Sequence, residues 1–171
     1  ICSTHGPVWS DKIPEVVDIV SRLASYKSER GVVIVYGSMY GNTAEVAEMI
    51  AREISALGIK RIIIHNASHS NMSDIINDAF RYETLIVGSA TYSMRLFPPV
   101  ETFMNAMETR EIKNKVFATF GNYTWAAGAV TAKLKEFADR MKLPVTASMI
   151  VKQSASESTR EEVREFARTV V

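Results

Sequence analysis

The sequence predicts a doubly wound α/β domain, a parallel five-stranded sheet with helices on both faces. Three observations predict it. Short apolar runs recur along the chain, continuous rather than alternating, as in strands buried on both faces. Segments with apolar residues at helical spacing separate them, so strand and helix alternate. The 171 residues are 47% hydrophobic and 23% charged, enough for one buried core and unlike a disordered or fibrous chain.

The elements follow in order. Ile1 to Trp9 has no initiator Met and begins mid-pattern, as if cut from something longer. Pro14 to Ala24 carries Val16, Val17, Val20 and Leu23 at helical spacing, with Pro14 in the first turn. Ser25 to Gly31 is polar and aperiodic and reads as a linker. Val32–Tyr36 is the first strand. Asn42 to Leu57 is a helix with Val46, Ala47, Ile50, Ile54 and Leu57 expected on one face; Asn42 and Glu45 have capping-box spacing, and Gly58 ends it. Ile62–Ile64 is the second strand, and Ile75, Ile76, Ala79 and Phe80 mark a short helix. Thr84–Gly88 is the third strand. Pro98 and Pro99 open a helix with Val100, Phe103, Met104 and Met107 inward. Val116–Phe120 is the fourth strand, followed by a helix from Ala129 to Met141. Val145–Val151 alternates more than the others, as an edge strand does. Ser158 with Glu161 is expected to cap a last helix carrying Val163, Phe166, Ala167 and Val170.

Charge and cysteine narrow the function. Twenty basic residues against nineteen acidic leave +1, with no clustered excess of cations for nucleic acid. No apolar run is long enough for a membrane span and no signal peptide opens the chain. A single cysteine, Cys2, excludes an internal disulfide framework and fits a reducing, cytoplasmic setting.

In an open parallel sheet, ligands bind beyond the carboxyl ends of the strands, where strand order reverses. Three of those ends carry loops rich in hydroxyls, glycine and aromatics and nearly free of charge: 37–43, 89–94 and 121–128. The first runs into a helix, whose N-terminal amides and dipole favour an anion. Ser38 and Thr43 add hydroxyls, and Gly41 lets the backbone approach. The loop has no lysine of an NTPase phosphate loop and no GxGxxG of a dinucleotide site. Hydroxyls and amides alone suit the terminal monophosphate of a tightly held cofactor; the alternative is a tight turn and helix cap. Tyr92, Tyr123 and Trp125 offer flat surfaces for a planar heteroaromatic ring, or else for packing at an interface. Ser38 and Ser89 stand where a phosphoacceptor receiver domain needs acids, and no Ser-His-Asp set supports a hydrolase. His65 and His69 have HxxxH spacing but are expected in a loop, as a surface pair.

Ser-Met-Tyr-Gly-Asn-Thr (38–43) resembles the phosphate loop of flavodoxins, whose sheet runs 2-1-3-4-5 and binds FMN. Gly88–Pro98 and Gly121–Val130 resemble, more closely, loops of the flavodoxin-like domain of flavodiiron proteins, or A-type flavoproteins. Thr4-His5-Gly6 resembles the segment near the end of that family's metallo-β-lactamase-like domain. The resemblance implies two parts: residues 1–30, the tail of that missing domain plus linker, and residues 31–171, an FMN-binding domain. It implies that Ser38, Tyr40, Asn42 and Thr43, with Met39 and Gly41 through their amides, hold the phosphate. Thr91, Tyr92, Ser93 and Met94 would flank the isoalloxazine. Gly121, Asn122, Tyr123, Trp125 and Gly128 would close the other side. No side chain is expected to be catalytic. His5 corresponds to an iron ligand, orphaned because the other ligands lie upstream in the family and one imidazole does not hold two irons. The implied activity is electron transfer from rubredoxin or another donor, through FMN, to a diiron site that reduces O2 or NO, in a homodimer. A free-standing flavodoxin carrier is the alternative. The N-terminal segment and the near-neutral charge speak against it, since carriers are commonly acidic.

Overall fold

A computed structural model describes all residues 1–171. In chain order the elements are α1 (Ile13–Ala24), β1 (Glu29–Gly37), α2 (Asn42–Ala56), β2 (Ile62–Asn66), α3 (Met72–Arg81) and β3 (Tyr82–Tyr92). They continue with β4 (Arg95–Leu96), α4 (Pro98–Thr109), β5 (Val116–Tyr123), α5 (Ala129–Arg140), β6 (Val145–Lys152) and α6 (Glu157–Val170). The main sheet is parallel and ordered β2-β1-β3-β5-β6, with β4 paired antiparallel to β3 alone. Leaving out that two-residue strand, this is the expected 2-1-3-4-5 order, and β6 is an edge as its alternation foretold.

Burial on both faces explains the continuous apolar runs. Val33, Val35, Leu85, Val87 and Phe117 face one cluster with Phe103, Met104 and Met107 of α4 and Leu134 of α5. Val32, Ile34, Ile86, Ala118 and Phe120 face the other, with Val46, Ile50 and Ile54 of α2 and Val163 and Phe166 of α6. Parallel strands bring the ends of β1, β3 and β5 level, with Gly37 opposite Ser89 and Ser89 opposite Gly121. No helix is long and apolar enough to cross a membrane.

Several expectations need correction. α1 forms with Pro14 at its start, yet none of its residues is buried, and Val17 and Val20 stay half exposed. The spacing encodes an apolar face that is only partly covered, with Val16 and Leu23 half-buried. The linker is shorter than 25–31, because β1 already begins at Glu29. There the Glu29 carboxylate accepts from Arg22 (2.9 Å) and Arg81 (3.1 Å), and these hydrogen bonds, Arg22 first, hold it below the usual carboxylate range. α2 is capped by left-handed Gly41 without a side-chain bond, not by an Asn42–Glu45 box. α6 is capped by Ser156 with Thr159 in a full capping box, two residues earlier than Ser158 with Glu161. His65 lies in β2 rather than a loop, and its Nε2 meets Asp78 of α3 at 2.9 Å instead of pairing with His69.

Lys115 closes the opposite end of the sheet from the three loops. It is buried, and its Nζ donates to Ser28 Oγ (2.7 Å), the Phe80 carbonyl (2.8 Å) and the Tyr82 carbonyl (2.7 Å). No carboxylate is among those acceptors, so burial pushes its pKa down from 10.5 to about 8, against a weaker opposing pull from Glu83. Between those two values the unfolded chain holds a proton that the folded chain has released. Stability therefore rises with pH across that window. Urea unfolding of the wild type is expected to shift to higher midpoints from pH 8 to pH 10. K115M should lose that rise and about 1–3 kcal/mol besides, because two buried carbonyls lose their donor. Equal pH slopes in the two proteins would refute the assignment.

Candidate functional site

The three loops meet in one cleft of about 160 Å³ at the carboxyl ends of β1, β3 and β5. Nine of the residues expected there line it. Ser38, Met39, Tyr40, Asn42 and Thr43 come from the β1–α2 turn. Thr91 comes from β3, and Asn122, Tyr123 and Trp125 from the end of β5 and its loop. Ala90 and Thr124 also line it; both lie within the expected loops, though neither is singled out there. A larger depression between α2 and α6 is lined by opposed charges such as Glu53 and Arg164, and shares no lining residue with the cleft.

The β1–α2 turn leaves donors free. Gly41 adopts φ 91° as the N-cap of α2, where a side chain would be strained, and its own N–H donates to Ser38 Oγ (3.1 Å). Because a glycine cap has no side-chain oxygen, the first-turn amides of α2 have no capping acceptor. Thr43 is almost wholly buried beside them. The only charged group in the first turn is Glu45, which is exposed on the helix. The turn thus offers unclaimed N–H groups, hydroxyls and a helix dipole, but no cation.

The β3 side is a hairpin that composition did not reveal. Tyr92 pairs with Arg95 and Thr91 with Leu96, leaving Ser93 and Met94 as a two-residue turn. Both have positive φ, 47° and 64°, where Asn-Gly is favoured. Non-glycine residues there carry about 1–3 kcal/mol of strain each. Ser89, fully buried, anchors the hairpin: its Oγ donates to the Ala90 carbonyl (2.9 Å) and accepts from Phe97 N–H (2.9 Å). Tyr92 packs edge-on to Phe97 at 6.1 Å between centroids. Tyr92, Ser93 and Met94 stand beside the cleft and exposed, outside its lining.

On the β5 side, Trp125 is 60% exposed, an unusual state for the largest side chain unless something covers it. Gly121 is buried, and Gly128 has φ 81° as the N-cap of α5. Thr91 Oγ1 donates to the Asn122 carbonyl (3.0 Å), joining the two ring-side loops. His5 lies far along the chain from these loops, in the exposed N-terminal segment, and no group of three His, Cys, Asp or Glu side chains lies together anywhere in the structure.

Comparison with known proteins accords with this geometry. The flavodoxin family model matches residues 34–165. The anaerobic nitric oxide reductase flavorubredoxin of Escherichia coli O1:K1 / APEC is 30% identical over 172 residues, covering 98% of this chain and 36% of its own length. The chain thus spans little more than a third of the curated relatives it matches. Rubredoxin oxygen:oxidoreductase from the anaerobe Desulfovibrio gigas superposes with a TM-score of 0.86 at 24% identity, over 94% of this chain and 40% of that one. A flavodoxin from the domain Archaea superposes with a TM-score of 0.70 at 20% identity, over 82% of this chain and 95% of its own.

Proposed function

Since the chain belongs to the flavodoxin family, we propose that residues 31–171 bind FMN and transfer electrons as one domain of a flavodiiron oxidoreductase. The observation that carries this reading is the convergence of three uncharged loops on one cleft, with an uncapped helix N-terminus at one end and exposed aromatics at the other. The residues present fit the cofactor. The α2 amides have no capping acceptor to displace, and a phosphate is the kind of acceptor they lack. Exposed Trp125 gains cover from a planar ring.

FMN, when bound, supplies the redox chemistry by accepting and releasing electrons. The chain's own part is binding and placement. Ser38, Asn42 and Thr43, with the amides of Met39 and Tyr40 and the uncapped first turn of α2, would hold the phosphate without a lysine, while the Gly41 N–H orients Ser38 Oγ. Thr91 and the 92–94 hairpin bound one side of the ring. Gly121, Asn122, Tyr123, Trp125 and Gly128 shape the other and limit water. The side chains lining the cleft are hydroxyls, carboxamides, aromatics, an alanine and a methionine, which suit binding and placement.

The wider assignment has separate support. Residues before the family match include α1, whose Val17, Ile19 and Val20 remain exposed, as expected of the tail of a metallo-β-lactamase-like domain plus linker. The long relatives align with nearly the whole chain, whereas the archaeal flavodoxin aligns with 82% of it. On this reading His5 is a ligand of a diiron site in that other domain. Electrons arrive from rubredoxin or another donor, O2 or NO is reduced at the diiron site, and the full-length protein is a cytoplasmic homodimer. Calorimetric titration of the apo-protein with FMN is expected to show saturable one-to-one binding. W125A should weaken it about tenfold, or about 1.4 kcal/mol, by removing a stacking surface. No saturable binding by the wild type would sink the proposal. An unchanged affinity in W125A would remove the stacking role.

A further inference from the structure

We infer that Asn122 is a positioning residue, which with Gln153 forms a strap that sets the Tyr123–Trp125 wall of the cleft. This rests on the reading that the cleft holds FMN, and it gives Asn122 a supporting role beside its place in the lining. β5 and β6 pair in register as far as Tyr123 and Lys152. At Gln153 the chain turns away with φ 57°, a left-handed conformation that a non-glycine residue adopts at a cost. Two bonds hold it there. Gln153 N–H donates to the Tyr123 carbonyl (2.8 Å), and Asn122 Nδ2 donates to the Gln153 carbonyl (2.6 Å). The carboxamide therefore takes over from the backbone where the ladder ends, and extends the sheet by one further step.

The strap reaches further than one loop. Asn122 is itself held on the other side by Thr91, through its carbonyl. Thr91, Asn122, Tyr123 and Gln153 thus link the ends of β3, β5 and β6 in one hydrogen-bonded chain. Trp125 has no side-chain hydrogen bond among those of the structure and stands largely in solvent, so its place follows from the backbone that the strap fixes. Asn122 is buried, and one N–H of its carboxamide is committed to the Gln153 carbonyl, which fixes the orientation of the group at the cleft wall. Gln153, far along the chain from the three loops, becomes part of the site's frame.

The test uses N122A and N122D in the full chain, the latter matching asparagine in shape but setting two acceptors against each other. Hydrogen exchange of the apo-proteins comes first. The amide of Gln153, bonded to the Tyr123 carbonyl, is expected to exchange at least tenfold faster in both variants. FMN titration should then show an affinity about tenfold weaker, and the visible circular dichroism of the bound flavin should change, a signature that a merely structural stitch would not move. Unchanged exchange at Gln153 overturns the strap. Faster exchange with wild-type affinity and wild-type visible dichroism overturns its positioning role. Faster exchange in the variants with no FMN binding by the wild type leaves the strap standing and removes the cofactor reading instead. If N122A fails to fold, the isosteric N122D decides each of these outcomes.

Discussion

Gly88→Ala is expected to cost about 3 kcal/mol, lowering the melting temperature by roughly 6–12 °C for a domain of this size. Gly88 sits in β3 between Tyr36 of β1 and Phe120 of β5. A Cβ there would lie inside the Phe120 ring contact, closer than real side chains approach. Phe120 is fully buried among the residues packed between the sheet and α2 and α6. The ring therefore has no solvent side into which to move, and its displacement would strain rotamers across that layer. Thermal unfolding of G88A checks the size of the loss. The pair G88A/F120L should recover more than half of it, because leucine vacates the space that the new methyl needs. A single variant within about 0.5 kcal/mol of wild type would show that the ring is not confined as described.

The same contact illustrates what the sequence could and could not convey. Gly88 was legible as the end of an apolar run, but nothing local says that a ring from a strand 32 positions later lies over it. Element type was readable because burial on both faces writes long apolar runs, and helical spacing is equally distinct. Boundaries were not: β3 continues from Gly88 through Ser89 to Tyr92, since backbone pairing persists after apolar side chains stop. The 92–95 turn was hidden because Ser93-Met94 lacks the Asn-Gly signature of its geometry. In Ser154–Thr159 several hydroxyl residues compete as caps, and spacing alone chose Ser158 over Ser156. Most of the cleft was legible because topology assigns ligands to strand ends, so the loops there could be read as a group. Gln153 was not, because its contribution is a backbone carbonyl and any residue type has one.

Asn42→Asp is expected to act with opposite signs on the two states of the site. Asn42 is the first residue of α2 and lines the cleft, and the β1–α2 turn contains no cation. A carboxylate in the first turn interacts favourably with the helix dipole, so the apo-protein should gain about 0.3–1 kcal/mol. The same carboxylate would occupy the field that the proposed phosphate uses. Two like charges about 5 Å apart repel by about 3 kcal/mol at an effective dielectric constant of about 20, so FMN affinity should fall about 100-fold. Raising the salt concentration should recover part of the affinity, in proportion to how far solvent screens the pair. Differential scanning calorimetry of the apo-protein and FMN titration read the two effects separately. If N42D were less stable and bound FMN as well as wild type, the α2 N-terminus would be neither uncapped nor the phosphate end. If both quantities fell, the substitution would simply damage the turn. Only a more stable apo-protein with weakened FMN binding matches a helix start kept free of anions so that the cofactor can supply one.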